Sequence, residues 1–291
     1  MSDNKVEEHA GPAGSLFIIG GGVRSVSMMR AYIDLCGGVE ARIVIVPFAS
    51  SVPVEQGERM KHELESLGCA DVTVLDCVLG ASSVDEVRSA AGIYFTGGDQ
   101  NRLRDCLAGT PTLVAVHEAY RRGAILGGTS AGAAVMSRVM LSGNELLNPG
   151  VVSPEESDAI EAFSRIRQGN TETTEGFGFL EGCVVDQHFV RRKRENRLIS
   201  VVLEHPELLG IGIDESTAIV VSAGGFDVLG DSCVIVLDAA HMKDVGVGRG
   251  GSLRCVGLTM HVLTEGQRFD LATRTVISCT QPLLTSDGGE P

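Results

Sequence analysis

The sequence predicts an α/β fold with a mostly parallel central sheet, helices on both faces and extra β-strands towards the C-terminus. In the first two thirds of the chain, short apolar segments alternate with amphipathic helical ones, which is typical of parallel strands joined by helices. After residue 208 the segments become strand-like and are joined by turns. The 37 glycines exceed the roughly 20 that average usage would give, which indicates many tight turns.

Five strands and five helices are predicted in the alternating part of the chain. The strands are expected at Leu16–Ile19, Arg42–Pro47, Asp71–Leu75, Gly92–Phe95 and Ala124–Gly127. The helices are expected at Ser25–Cys36, Val54–Leu67, Ser83–Ala90, Gln100–Leu107 and Pro111–Arg122. Ligands of such sheets bind beyond the carboxyl ends of the strands. The loops that follow strands are therefore the places to look for a site.

The C-terminal part is predicted to extend or flank this sheet. Its strands are expected at Ile211–Val221, Phe226–Leu229, Cys233–Asp238, Leu253–Leu263 and Gln267–Ile277, and alternation within 258–264 favours an antiparallel, half-exposed sheet. The polar segment Pro149–Phe179 is predicted to be a loop or a short helix. We expect residues 1–14 to be a disordered leader, 15–281 one domain, and 282–291 a flexible tail.

Composition excludes several classes of protein. The formal charge of −14 disfavours sequence-independent binding of nucleic acid, which needs a broad basic surface. No apolar run approaches the roughly 20 residues that cross a bilayer, and the N-terminal residues do not have the pattern of a signal peptide. Eight scattered cysteines without metal-ligand spacing favour a reduced, cytoplasmic setting and predict no metal site.

The segment from Gly128 to Gly132 reads Gly-Thr-Ser-Ala-Gly and follows an apolar strand. A G-x-S-x-G sequence between a strand and a helix, here the predicted helix Ala131–Ser137, is the context of a nucleophilic serine, Ser130. The amide of Ala131 would then be a natural donor to an oxyanion. The alternative is a glycine-rich turn with an inert serine.

A second glycine pair follows the strand Gly92–Phe95. Gly97 and Gly98 would allow backbone amides to approach a substrate closely, and Gly98 is a candidate second oxyanion donor. The alternative is an ordinary turn in which Asp99 caps the next helix. Both can hold together.

A histidine and two acids follow further predicted strands. His188 comes after the strand Gly182–Val185, where a general base would lie, although a lone histidine is more often structural. Asp214 and Glu215 end another apolar strand, and a carboxylate there could orient the histidine. Because successive side chains of a strand point to opposite faces, only one of the two acids should face it.

The run from Arg191 to Arg197 contains five cations and is predicted to open a helix that continues through Leu198–Leu203. Cations are unfavourable at this end of a helix, so the run is a candidate site for substrate carboxylates, which guanidinium groups bind in a bidentate manner. The alternative is a solvated face. The glycines of Gly20–Gly22 lack the spacing of a dinucleotide fingerprint, which predicts no nucleotide cofactor and a loop on the substrate side.

Taken together, the segments Phe95–Gln100, Gly128–Ala133, Asp186–Phe189 and Gly212–Glu215 resemble the cyanophycinases of the peptidase E group of serine peptidases. The resemblance spans roughly residues 15–225. It implies a fold like that of class I glutamine amidotransferases, with Ser130 as nucleophile, His188 as general base and Glu215 as the third member of a triad. The residues implied to line the substrate pocket are Gln100, Asp186, Gln187, Arg192, Arg194 and Arg197.

The resemblance also implies a reaction. Cyanophycinases hydrolyse cyanophycin, a polyaspartate with arginine on each β-carboxyl, to β-Asp-Arg dipeptides, and are cytoplasmic, usually dimeric and independent of cofactors. The arginines would pair with substrate carboxylates, while Asp186 and Gln100 would receive a guanidinium or amine. An Asp-X dipeptidase with the same triad and a non-catalytic binding protein remain alternatives. Residues 144–175 and the tail do not match the family pattern, which leaves the substrate range open.

Overall fold

A computed structural model describes residues 14–76, 80–147 and 165–278. The expected leader (apart from Gly14) and the expected tail lie outside these ranges. The helices within them are α1 (Val26–Leu35), α2 (Pro53–Ser66), α3 (Ala81–Ser89), α4 (Gln100–Leu107), α5 (Pro111–Arg121), α6 (Ala131–Ala134) and α7 (Glu195–Glu204). Among the helices of these ranges, none is long and apolar enough to cross a membrane.

The strands of the same ranges fall into two larger sheets and two sheets of two strands each. They are β1 (Leu16–Ile19), β2 (Ile43–Val46), β3 (Val72–Val74), β4 (Gly92–Phe95), β5 (Ile125–Thr129), β6 (Val139–Glu145), β7 (Thr171–Glu175), β8 (Cys183–Gln187), β9 (Leu209–Ile213), β10 (Thr217–Ser222), β11 (Gly225–Gly230), β12 (Val234–Asp238), β13 (Lys243–Val247), β14 (Leu253–Val256), β15 (Thr259–Leu263), β16 (Gln267–Asp270) and β17 (Thr275–Ser278).

The main sheet has the strand order β17-β16-β11-β10-β1-β5-β4-β2-β3. The five strands from β1 to β3 in this order are parallel to one another. The other four strands are added antiparallel beyond β1. The predicted α/β fold, with its parallel core and additional C-terminal strands, is confirmed.

Helices pack against both faces of the main sheet. Successive side chains of a buried strand point to opposite faces, so each strand contributes to both cores. In β1, Leu16 and Ile18 belong to the core that contains residues of α3 and α5. Phe17 and Ile19 belong to the core formed with α1 and α2. Such double coverage explains why these strands read as continuous apolar runs.

A second sheet has the order β15-β12-β9-β8, with β8 and β9 parallel. One face contributes Val185, Ile211 and Val236 to the same core as the α3 and α5 face of the main sheet. The other face packs against α7 through residues such as Val184 and Leu198. The ends of β5 and β8 are thereby brought next to each other.

Three predicted C-terminal strands are each divided in the structure. The predicted strand Ile211–Val221 is wrong as one element, because β9 ends at Ile213 in the second sheet and β10 begins at Thr217 in the main sheet. Both halves are buried, so the apolar pattern of the sequence does not show where the first strand ends and the second begins. The predicted strands Leu253–Leu263 and Gln267–Ile277 each divide into two, and β13 was not predicted.

The prediction of a loop or short helix over Pro149–Phe179 is partly wrong. Within it, β7 pairs antiparallel with β6, whereas residues 148–164 lie outside the described ranges. The strand sequence Thr-Glu-Thr-Thr-Glu is polar but rich in β-branched threonine, which favours a half-exposed strand. Because the segment is polar, hydrophobic periodicity does not predict this strand.

Candidate active site

Ser130 lies at a sharp turn between β5 and α6. Its backbone has φ 55° and ψ −112°, a positive φ that is uncommon for a residue with a side chain and that is often found at functional sites. The predicted helix Ala131–Ser137 is shorter than expected, since α6 ends at Ala134. The turn places Ser130 directly beyond the carboxyl end of β5 in the parallel sheet.

The glycines on either side of this turn allow close packing of the backbone. A Cβ atom on Gly132 would lie 2.3 Å from the carbonyl oxygen of Phe95, and one on Gly128 would lie 2.3 Å from the carbonyl oxygen of Gly132. Neither oxygen belongs to a flexible side chain that could move aside. The G-x-S-x-G spacing is therefore a requirement of this turn and of its contact with β4.

Three side chains form a hydrogen-bonded chain at this edge of the sheet. Ser130 Oγ is 2.9 Å from His188 Nε2, and His188 Nδ1 is 2.6 Å from Glu215 Oε1. His188 follows β8 directly and is only 7% exposed. Glu215 lies in the turn between β9 and β10. The arrangement can move a proton from the hydroxyl to the imidazole and stabilise the resulting imidazolium.

The two acids that the sequence left as alternatives, Asp214 and Glu215, have different partners in the structure. Glu215 meets the histidine, whereas Asp214 accepts hydrogen bonds from the backbone amide of Arg191 at 2.8 Å and from Ser232 Oγ at 2.7 Å. Asp214 thus ties the chain after His188 to the strand region that follows β11. Its contacts are those of a structural residue.

The imidazole of His188 is held neutral at ordinary pH. Burial lowers its pKa to about 4, assisted by the positive charges of Arg192 and Arg194, while the hydrogen bond and charge of Glu215 act in the opposite direction. A neutral imidazole accepts a proton, as a general base must. The electrostatics and the geometry of the site therefore agree.

The glycine pair after β4 lies directly beside the serine. A Cβ atom on Gly97 would be 3.4 Å from Ser130 Cβ. The next residues continue into α4, whose N-cap is Asp99, with Oδ1 accepting from the amide of Asn101 at 2.8 Å. Asp99 thus caps the helix, and Gly98 lies in the same turn, where a Cβ atom would be 2.2 Å from the carbonyl oxygen of Ala49.

Asp186 and Arg197 lie in the interior and bind each other. They are 1% and 2% exposed. Arg197 Nε donates to one carboxylate oxygen at 2.7 Å, and Nη2 donates to the other. The structure therefore does not place Asp186 as an open acceptor for a substrate guanidinium, because Arg197 already occupies its carboxylate in a bidentate pair.

Arg194 lies close to this buried pair, with Nη1 3.7 Å from Asp186 Oδ1, and also binds Gln187. Arg194 Nη1 donates to the carbonyl oxygen of Gln187 at 2.6 Å and to its Oε1 at 2.7 Å. Burial, and then the charge of Arg197, lower the pKa of Arg194 to about 9, with Asp186 opposing the shift. The guanidinium remains charged at neutral pH.

The remaining predicted pocket residues differ in exposure. Gln100 is buried, and its Nε2 donates to the carbonyl oxygens of Leu141 and Ser142 in β6 at 3.0 and 2.7 Å. Arg192 is exposed, and its backbone amide donates to the carbonyl oxygen of His188 at 2.9 Å. The prediction that the cationic run opens the helix is wrong for its first part, because α7 begins only at Glu195.

The loop of Gly20–Gly22, predicted to lie on the substrate side, lies against the hydrogen-bonded chain in the structure. The Cβ positions of Gly21 and Gly22 lie closest to His188 and Glu215 respectively. Sequence reasoning missed these contacts. The available signal was three consecutive glycines after the central strand β1, a sign of close backbone approach.

Known proteins similar to this chain support a single family. A cyanophycinase from Nostoc sp. (strain PCC 7120) is 34% identical over 279 residues, covering 90% of this chain and 87% of that protein. The cyanophycinase of Trichormus variabilis has the same identity and coverage. That of Geminocystis herdmanii is 33% identical over 272 residues, covering 89% of this chain and 94% of the relative.

Solved structures support the fold. A peptidase from an acI-B1 actinobacterium superposes with a TM-score of 0.65 at 24% identity, covering 89% of this chain and 97% of that one. A putative peptidase E protein from Listeria monocytogenes gives a TM-score of 0.52 at 19% identity, with coverages of 76% and 100%. The profile of peptidase family S51 matches residues 16–229, a range that contains Ser130, His188 and Glu215. The chain belongs to peptidase family S51.

Proposed function

We propose that this protein is a serine exopeptidase that hydrolyses cyanophycin to β-Asp-Arg dipeptides, with Ser130 as nucleophile, His188 as general base and Glu215 as its orienting acid. The observation that carries the proposal is the hydrogen-bonded chain of these three side chains, with spacings of 2.9 and 2.6 Å. It occurs in a chain that is 34% identical to two proteins named cyanophycinase.

The reaction follows from the roles of the three residues. Ser130 Oγ attacks the carbonyl carbon of a backbone amide of the polymer while His188 Nε2 takes the hydroxyl proton. The imidazolium then passes this proton to the leaving nitrogen as the C–N bond breaks, which leaves an acyl-enzyme. Water, deprotonated by the same imidazole, attacks the ester and releases Ser130. No cofactor is required.

The backbone around the serine supports stabilisation of the oxyanion in each step. Ala131 is the first residue of α6, where an amide has no acceptor within its own helix. Gly98 belongs to the turn that abuts Ser130. We assign the two amides to the oxyanion site, since preorganised donors at developing charge are a large contribution to catalysis.

The implied substrate-binding residues divide into two groups by burial. Arg192 is exposed and its charge acts on His188, which suits it to bind a substrate carboxylate, whereas Arg194, Gln187 and Gln100 are partly or fully buried. The buried pair of Asp186 and Arg197 lies beside Arg194 and is assigned to holding that guanidinium in place. A polymer with a free α-carboxylate end matches an exposed cation next to the nucleophile.

Lowering the pH should inactivate the enzyme only at strongly acidic values. His188 must be neutral to act as a base, and its pKa of about 4 places the acidic limb of kcat/KM well below the 6.5 of an ordinary histidine. Replacing Arg192→Gln removes a positive charge that disfavours the imidazolium, so the limb should move to higher pH. Initial rates from pH 3 to 8 measure this shift.

The adjacent exposed residue offers a matched control. Arg191→Gln removes one charge from the same run, but the arginines that mainly lower the pKa of His188 are Arg192 and Arg194. Its acidic limb should coincide with that of the unmodified enzyme. Equal displacement of the limb in both variants would contradict a specific effect of Arg192 on the imidazole.

Digestion of the purified polymer tests the substrate. Incubation with cyanophycin should release β-Asp-Arg, identified by mass and by comparison with the authentic dipeptide, and Ser130→Ala prepared in parallel should release none. No dipeptide from the unmodified enzyme would refute the proposal. Rapid cleavage of Asp-X dipeptides without action on polymer would favour the peptidase E-like alternative.

A serine-directed phosphonate probe separates a catalytic protein from a binding protein on the same scaffold. We expect covalent labelling of Ser130 in the native protein, located by peptide mapping, and loss of that label in Ser130→Ala. An unlabelled native protein would support the non-catalytic alternative. The measurement is independent of the substrate.

The proposal extends to the setting of the enzyme. We propose a cytoplasmic homodimer, supported by the family resemblance and by the absence of disulfides among the six cysteines in the described part of the chain. Sedimentation equilibrium should give about twice the 30.6 kDa of one chain. A mass of one chain across the micromolar range would exclude the dimer.

A further inference from the structure

The last residue of β1 and the loop that follows it are together bonded to all three segments that carry the proposed triad. The carbonyl oxygen of Ile19 accepts from the amide of Ser130 at 3.1 Å, and that of Gly20 accepts from the amide of His188 at 2.7 Å. The carbonyl oxygen of Gly21 accepts from the amide of Ser216, the neighbour of Glu215, at 2.9 Å. Three successive carbonyl groups thus hold three segments from different strands.

The residues bonded in this way have an unusual backbone conformation. Ser130, His188 and Ser216 have φ values of 55°, 49° and 54°, in the left-handed region that side chains disfavour. Such conformations persist only where surrounding contacts impose them. The amide hydrogen bonds to Ile19, at the end of β1, and to Gly20 and Gly21 in the loop are contacts of that kind, and each is donated by the residue with the unusual φ.

The loop also lies against the side chains of the site. A Cβ atom on Gly21 would be 2.2 Å from Cε1 and 2.5 Å from Nε2 of His188, the nitrogen that faces Ser130. A Cβ atom on Gly22 would be 2.7 Å from Cβ of Glu215. The imidazole thus occupies the space that any side chain at position 21 would need.

We propose that Gly20–Gly22 is a positioning loop for the triad, in which the absence of a side chain at Gly21 sets the place of the His188 imidazole. The loop acts through His188 and Glu215, and no part of it needs to contact substrate. Its effect on turnover rests on the proposed function, whereas its effect on the placement of the imidazole does not.

The test compares Gly21→Ala with Gly37→Ala. Gly21 has φ 111° and Gly37 has φ 109°, a region that alanine disfavours at both positions, but the nearest atom to a Cβ on Gly37 is 3.9 Å away. We expect Gly21→Ala to lower kcat and the rate of phosphonate labelling at least 100-fold, with KM changed less than threefold, because displacing a reacting group by about 1 Å costs about that much. Gly37→Ala should stay within twofold of the native enzyme.

A double-mutant cycle tests the contact itself without using activity. In the His188→Ala background the imidazole is absent, so Gly21→Ala should lower the thermal unfolding midpoint no more than Gly37→Ala does. In the native background it should lower the midpoint further. A Gly21→Ala protein that folds only together with His188→Ala would be the strongest form of this result.

The outcomes distinguish this inference from the proposed function. Equal destabilisation by Gly21→Ala in both backgrounds, or native rates of labelling in a folded Gly21→Ala, would overturn the positioning role. A native protein that leaves cyanophycin intact but shows the expected cycle would refute the proposed substrate and retain the loop. The two failures therefore produce different data.

Discussion

Ser130→Ala is expected to lower kcat on cyanophycin by about 10⁴- to 10⁶-fold while leaving KM and the fold nearly unchanged. In the proposed mechanism the hydroxyl is the group that bonds to the substrate carbonyl, and alanine has no atom that could take its place. Alanine keeps a Cβ atom, so the strained backbone at φ 55° experiences the same steric environment. Single-turnover release of β-Asp-Arg and near-ultraviolet circular dichroism measure the two effects.

A matched serine provides the control for this substitution. Ser89 is exposed on α3, and within the described part of the chain its hydroxyl donates to carbonyl oxygens of its own helix, those of Asp85 and Glu86. Ser89→Ala should therefore retain the native rate. A Ser130→Ala enzyme that keeps more than a few per cent of the native kcat would exclude Ser130 as the nucleophile.

Glu215→Gln is expected to lower kcat by about 10²- to 10⁴-fold, because the amide cannot stabilise the imidazolium that forms when His188 takes the serine proton. The glutamine side chain has the same shape, so the 2.6 Å contact with Nδ1 can persist in a different protonation pattern. KM should change little. Steady-state rates at neutral pH, where the native imidazole is uncharged, isolate this effect.

Asp214→Asn is the matched acid-to-amide change at the neighbouring position. Asp214 bonds to a backbone amide and to Ser232 Oγ, and an asparagine side chain can satisfy both, since the hydroxyl can accept as well as donate. The rate should remain within about threefold of native. Loss of activity in Asp214→Asn with an unchanged rate in Glu215→Gln would reverse the assignment of the triad acid.

Local pattern was sufficient for the parallel half of the fold. The predicted segments of β1 and β4 agree with the structure at both ends, and α1 and α2 differ from prediction by one residue at each end. Strands buried on both faces produce unbroken apolar runs, and the helices between them keep a clear amphipathic period. Elements of this kind are specified by residues close in sequence.

Apolar runs and amphipathic periods could not predict the division between β9 and β10. Both strands are apolar and buried, so the chain passes from one sheet to the other without a change of pattern. The transition places Glu215 in a turn, where the alternation of side chains along a strand no longer decides which acid faces the histidine. That choice required the geometry of two sheets.

The sequence by itself determined the α/β class and a serine elbow at Ser130, because both depend on residues that are neighbours along the chain. Tertiary structure alone decided that Glu215 meets His188, that Asp186 is occupied by Arg197, and that the loop of Gly20–Gly22 lies against His188 and Glu215. Each of these contacts joins strands or loops far apart in sequence. Their partners are selected by packing and hydrogen-bond satisfaction in three dimensions, which residue type and spacing do not encode locally.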